Sequence, residues 1–88
     1  MRVVLNKENM LTLYDLNIDD LGKIYSLDTA NESTTRLSQM GLVPGCVVRI
    51  IKKNPFGGPI QLKLNDYYLA IRKEDAQLIQ VDIIWYEK

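Results

Sequence analysis

Between residues 60 and 64 apolar and polar side chains alternate ahead of a two-residue break and a second β-rich run, and that pattern constrains the fold most. Ile60, Leu62 and Leu64 alternate with Gln61 and Lys63. Successive side chains of a strand point to opposite faces, so this is the signature of a strand with one face in a core. Asn65-Asp66 supplies a tight two-residue turn, and Tyr67–Arg72 returns antiparallel. Upstream, Val47–Lys53 is a β-branched strand, followed by the loop Asn54-Pro55-Phe56-Gly57-Gly58-Pro59. Downstream, Lys73–Ala76 reads as a single helical turn. Gln77–Val81 is then a last strand with Ile79 and Val81 inward, and Ile83–Tyr86 an apolar tail. Nearer the start, Leu13, Tyr14 and Leu16 form a brief apolar entry, Asp19-Asp20-Leu21-Gly22 a turn, and Lys23–Leu27 a strand.

One helix interrupts this series. Thr29 with Glu32 makes a capping box, and Asn31 is a second candidate cap, so the start is fixed only to within a turn. Thr34, Leu37 and Met40 at i+3 spacing give a narrow face toward the core. Gly41 suits the left-handed residue that ends the helix, with Leu42 folding back onto its last turn. In Val43-Pro44-Gly45-Cys46, proline then glycine fits the centre of a type II turn, whose second central residue needs positive φ. The expected architecture is mainly β, one domain over residues 1–88. It has about five short strands and one inserted short helix, closing into a small barrel that hides its edges. A chain this short buries only about 60% of its unfolded surface, so the core is single and thin.

Composition removes most chemistry. Histidine is absent, and with it the commonest general base and transition-metal ligand. One cysteine, Cys46, builds neither an internal disulfide nor a Cys/His zinc site, and fits a reducing compartment; a small apolar filler is its expected role. The five glycines form no phosphate-cradling loop. Asp19-Asp20 reads as two solvated turn acids, and Glu74-Asp75 as support for the N-terminus of a helical turn. These absences point away from an enzyme. No apolar run approaches the roughly 20 residues of a membrane span. The opening Met1–Asn9 meets a charge too soon for a secretion signal, so the expected location is the cytoplasm.

The formal charge is zero but unevenly spread. From Glu8 to Glu32 six acids stand against Lys23 alone, a balance of −5; from Arg49 to Lys73 six bases stand against Asp66, a balance of +5. Opposite charges meeting across the folded barrel are the expected use of this asymmetry. Without an excess of Lys and Arg to displace phosphate counterions, no nucleic-acid partner is expected. Arg36, one position before core-facing Leu37, has two readings: a solvated charge paired with Glu32 at i−4, or a contact to a carboxylate or phosphate on a partner. Phe56, Tyr67-Tyr68 and Trp85-Tyr86 crowd the C-terminal part, with core or tail clasp as the expected fate and an interface as the alternative.

The order of these pieces resembles a known family. Leu11–Leu16 and Gly22–Leu27 are similar to the opening of ferrous iron transport protein A, FeoA. Arg36–Val48 is similar to its arginine-leucine, glycine-leucine, proline-glycine signature. Pro55–Ile60 and Leu69–Ala76 match its later loop and last hairpin, so the resemblance covers Leu11 to Val81. It implies an SH3-like barrel with an inserted helix, and a non-enzymatic accessory role in bacterial Fe(II) uptake through the cytoplasmic G-domain of the transporter FeoB. The membrane would then be reached only through that partner. It also implies a partner surface drawn from Arg36, Leu37, Met40, Gly41, Leu42, Pro44, Gly45 and Arg72. The alternative it carries is a metal-responsive module like the C-terminal domain of iron-dependent repressors; no resident cofactor or dedicated metal ligand is expected, with weak Fe(II) or other divalent binding as that alternative's prediction. The family's loop often carries an acid near Gly58, and glycine here takes away a ligand. Residues 1–10 and the Ile83–Lys88 tail lie outside the match, as added strands or an apolar surface for self-association.

Overall fold

The computed structural model describes residues 2–28 and 30–87, with side chains described for 11–28 and 30–84. Six strands run as β1 (Arg2–Thr12), β2 (Leu21–Leu27), β3 (Val47–Lys53), β4 (Ile60–Leu64), β5 (Tyr67–Ile71) and β6 (Ile79–Glu87). Helix α1 (Glu32–Gln39) is inserted between β2 and β3, and the single turn α2 (Lys73–Ala76) between β5 and β6. The sheet order is β1-β6-β2-β3-β4-β5, with every described ladder antiparallel. The mainly β architecture with an inserted helix is as expected, with six strands in place of five.

The extra strand comes from the two ends of the chain. Arg2–Asn6 pair with Ile83–Glu87, so the N-terminal extension and the apolar tail join as added strands around β6. The inward residues of β2 to β6 meet in one cluster with Leu13, Leu16, Leu37, Leu42 and Ala76. β4 shows the alternation most plainly, with Ile60, Leu62 and Leu64 at 0–1% exposure and Gln61 and Lys63 in solvent.

Two local readings need correction. Leu21 and Gly22 do not form a turn; they open β2, and the turn lies earlier, with Asp20 N–H on the Asn17 carbonyl and Asn17 N–H on the Asp20 carboxylate. Gly22 is buried, and a Cβ there would come 2.6 Å from Leu16 Cδ1, so any larger residue has to displace the buried Leu16 side chain. The apolar entry is likewise a 3-10 turn, Leu13–Asp15, whose Leu13 and neighbouring Leu16 plug the core. Lys53 holds this turn by donating to the carbonyls of Tyr14 (2.6 Å) and Leu16 (2.9 Å), with its ammonium 4.8 Å from the Tyr14 ring centre.

Helix α1 is capped by Asn31, whose side-chain oxygen accepts from Ser33 N (2.8 Å) and Thr34 N (3.2 Å); Thr29 lies outside the described residues. Buried Thr34 donates to the Asp28 carbonyl, tying the helix to the end of β2. At the other end Gly41 takes φ +106°, its N–H reaches Ser38 O (3.1 Å), and Leu42 N–H reaches Leu37 O (3.1 Å). Those two bonds are a Schellman motif, and they return Leu42 to full burial. Met40, expected on the core face, is instead 43% exposed. As the C-cap, with φ −86° and ψ 2°, it has left the helical path, and Leu42 fills the core position beyond it.

Candidate functional site

Strand β5 ends the sheet, and α1 lies along it. Between them runs a groove of about 440 Å³ lined by Ser33, Arg36, Leu37 and Met40 from the helix segment, and by Ala70, Ile71, Arg72 and Asp75 from β5 and α2. Its two ends are tied. At one, the Tyr67 hydroxyl donates to the Met40 carbonyl, placing β5 against the helix C-cap. At the other, Arg72 donates from Nη2 to Ser33 Oγ (3.0 Å) and from Nε to Asp75 Oδ2 (3.2 Å). Arg72 thus links α1 to α2, with an exposed guanidinium on a buried carboxylate.

The eight residues named from sequence divide into three groups. Arg36, Leu37, Met40 and Arg72 come together in the groove. Gly41 and Leu42 are occupied by the helix cap and the core. Pro44 and Gly45 form the expected turn, with Gly45 at φ +96° and Cys46 N–H on the Val43 carbonyl (3.1 Å), and they do not line the groove. That turn is bonded to β2 through Gly45 N–H on Ile24 O and Ile24 N–H on Cys46 O, each 2.8 Å.

Within the groove the two arginines differ. Arg72 is bonded through Nε and Nη2, whereas the Arg36 side chain is exposed and has no hydrogen-bond or ion-pair partner among the described residues; the pair with Glu32 is not formed. Exposed Met40 lines the groove beside it. A cation with free donors at the rim of a half-apolar groove is suited to meet a carboxylate or phosphate on a docking surface.

Sequence reasoning missed Ser33, Ala70, Ile71 and Asp75. Asp75 had a signal, since it stands at i+3 from Arg72 on either side of a helix start; it lies in the first turn of α2 as expected, and is in addition buried and ion-paired. Ser33 had none, being 39 residues from its partner. The aromatic residues also depart from expectation: Tyr67 (41%), Tyr68 (55%) and Phe56 (95%) are exposed, and the side chains of Trp85 and Tyr86 lie outside the described residues. Cys46 packs half-buried against the core, and burial pushes its thiol pKa up. Nor does an ion pair join the acidic and basic stretches among the described residues. Among the described residues the ion pair is Arg72–Asp75, both from the C-terminal half.

Residues 11–83 match the family model of the FeoA domain. A curated relative, the Fe(2+) transport protein A/Fe(2+) transporter FeoB fusion protein of Porphyromonas gingivalis, is 27% identical over 74 residues; these are 84% of this chain and 9% of the fusion, so the chain spans a small part of that relative's length. The solution structure of a FeoA-like protein from Clostridium acetobutylicum superposes with a TM-score of 0.79 at 28% identity, covering 90% of this chain and 92% of the other. The zinc-complexed FeoA of Stenotrophomonas maltophilia, described as a prokaryotic SH3 domain protein, gives 0.73 at 26% identity over 82% of this chain and 89% of its own. A manganese-dependent transcriptional repressor shares the fold alone, at 19% identity and a TM-score of 0.73, over 83% of this chain and 41% of the repressor. Among the described residues no helix is long and apolar enough to cross a membrane.

Proposed function

The chain belongs to the FeoA family, which is associated with Fe(2+) transport, and we propose that it is a non-enzymatic accessory protein docking on the cytoplasmic G-domain of an FeoB-type transporter through the α1–β5 groove. The observation that carries this reading is the contrast inside the groove: Arg72 is tied to Asp75 and Ser33, while Arg36 presents free donors beside exposed Met40. An unpartnered arginine next to an apolar contact is the kind of anchor that dominates docking interfaces. Fusion of a related module to FeoB in one chain supports the choice of partner, because fused modules work at one location. On this reading the chain acts in the cytoplasm and meets the membrane only through the transporter.

The alternative, a metal-responsive module, has a shared fold behind it. Among the described residues no group of three or more Cys, Asp or Glu side chains is gathered around a common point.

Calorimetric titration of the chain with the isolated cytoplasmic G-domain tests the proposal. Arg36→Ala should melt as the parent does yet lose about tenfold or more in affinity, the value of a charge-assisted hydrogen bond. Equal affinity for both proteins removes Arg36 from the surface, and no binding by the parent with GDP or a GTP analogue overturns the reading.

A further inference from the structure

Strands β3, β4 and β5 turn a second face away from the core, and its charges are not balanced. Arg49 stands opposite Lys63, and Lys63 opposite Tyr68, so two cations and an aromatic ring form one row across three strands. In the next row Lys52 faces Gln61, and Gln61 faces Ala70. All six side chains are exposed. A hollow of about 380 Å³ opens over Lys52, Gln61 and Ala70, where the β3 register shifts between Ile50 and Lys52 and Ala70 leaves space on the outer face.

Like charges directly opposite on neighbouring strands repel and weaken a sheet. Among the described residues no carboxylate is paired with either cation. The three strands contain no acidic residue. Arg49, Lys52 and Lys63 have no ion-pair partner among the described residues, and Arg49 donates only to the Asp19 backbone carbonyl at 3.3 Å. A surface serving solubility alone intersperses the two signs. Three uncompensated cations beside an exposed tyrosine and a hollow are instead complementary to an anionic ligand that adds an apolar contact.

We propose that this face docks a short, extended, acidic segment of a protein partner. Its carboxylates would lie on Arg49, Lys52 and Lys63, and an apolar side chain against Tyr68 and the hollow. The dimensions agree. The cationic patch is one strand spacing wide, about 5 Å, and about 10 Å long, while alternate residues of an extended chain fall on one side at intervals of about 7 Å. A long polyanion fits less well. The chain has no net charge, and Asp19 and Asp66 border the patch at the end of Arg49 and in the β4–β5 turn, so attraction is confined to a few charges. None of the three cations lines the α1–β5 groove; the two surfaces share Ala70 at the β5 border and are told apart by Arg36 and Arg72 on one side and Lys63 and Tyr68 on the other.

The test uses the full chain and a fluorescein-labelled peptide of alternating Glu and Val, with oligo-dT and phosphatidylserine vesicles as competitors. The peptide should bind in a salt-dependent manner and shift the amide signals of Gln61, Lys63, Tyr68 and Ala70. Lys63→Glu should lose about tenfold or more in peptide affinity while its melting temperature rises, because the substitution removes the Arg49–Lys63 repulsion. A side chain held there only for structure gives the opposite stability result. Absence of peptide binding at low salt, unchanged affinity for Lys63→Glu, or preferential binding of oligo-dT or vesicles to this face would each overturn the proposal.

Discussion

Strand β5 borders two surfaces made from similar residues and finished in opposite ways. Toward α1, Arg72 is bonded to Asp75 and Ser33, and Tyr67 to the Met40 carbonyl, so a cation and an aromatic hydroxyl hold the fold together. On the outer face, Lys63 and Arg49 stand opposite each other without an acid, and Tyr68 lies open beside them. The same side-chain chemistry is structural where a partner is supplied by the chain and available where it is not. What distinguishes the two is the pairing, which no composition count shows; Arg36, unpaired on that edge, is the exception on which the proposed docking at the groove rests.

The sharpest way to break the helix side is at its cap. Gly41 combines φ +106° with a Cβ position 2.9 Å from Tyr67 Oη, so Gly41→Ala strains the backbone and pushes away the tyrosine that fixes β5. A loss of about 1–3 kcal/mol is expected in denaturant unfolding. Arg72→Ala should cost less, about 1 kcal/mol, because it strands the buried Asp75 carboxylate while most of the arginine is already in water. It should also disorder the α1–α2 contact at Ser33, read as faster amide exchange there. If Arg72→Ala is neutral and Lys63→Glu destabilising, the contrast between the two surfaces is the reverse of that described here. The smallest effect concerns Cys46. Burial raises its thiol pKa in the folded state, so the fold holds the neutral thiol more tightly than the unfolded chain does. That contribution is fully present below the ordinary thiol value of 9.0 and is lost as pH rises through the raised folded value. Stability should therefore fall more steeply above pH 9 in the parent than in Cys46→Ala, compared by thermal melts across that range.

Much of this fold was legible because its signals are local. The glycine-then-leucine end of α1, the Pro44-Gly45 turn and the bounds of β3 each depend on a few adjacent residues whose backbone preferences agree. The misreadings share a cause in long-range contact. Gly22 looks like a turn residue until Leu16 is packed over it, and the tail after Val81 looks unpaired until residues 2–6 arrive beside it. Half of the residues lining the groove, Arg36, Leu37, Met40 and Arg72, are those the family resemblance implies, whereas Ser33, Ala70 and Asp75 join them only through tertiary packing. Met40 shows that even local periodicity fails at a terminus, because the residue that ends the helix no longer follows its face.

Docking of the α1–β5 groove on the transporter's G-domain is tested most directly by titrating isotope-labelled chain with that domain, in GDP and in a GTP analogue, and mapping the amide shifts. The account predicts shifts concentrated on Arg36, Met40, Ala70 and Arg72 that change with the nucleotide. No shift in either nucleotide state, or shifts confined to Arg49, Lys63 and Tyr68, would contradict it.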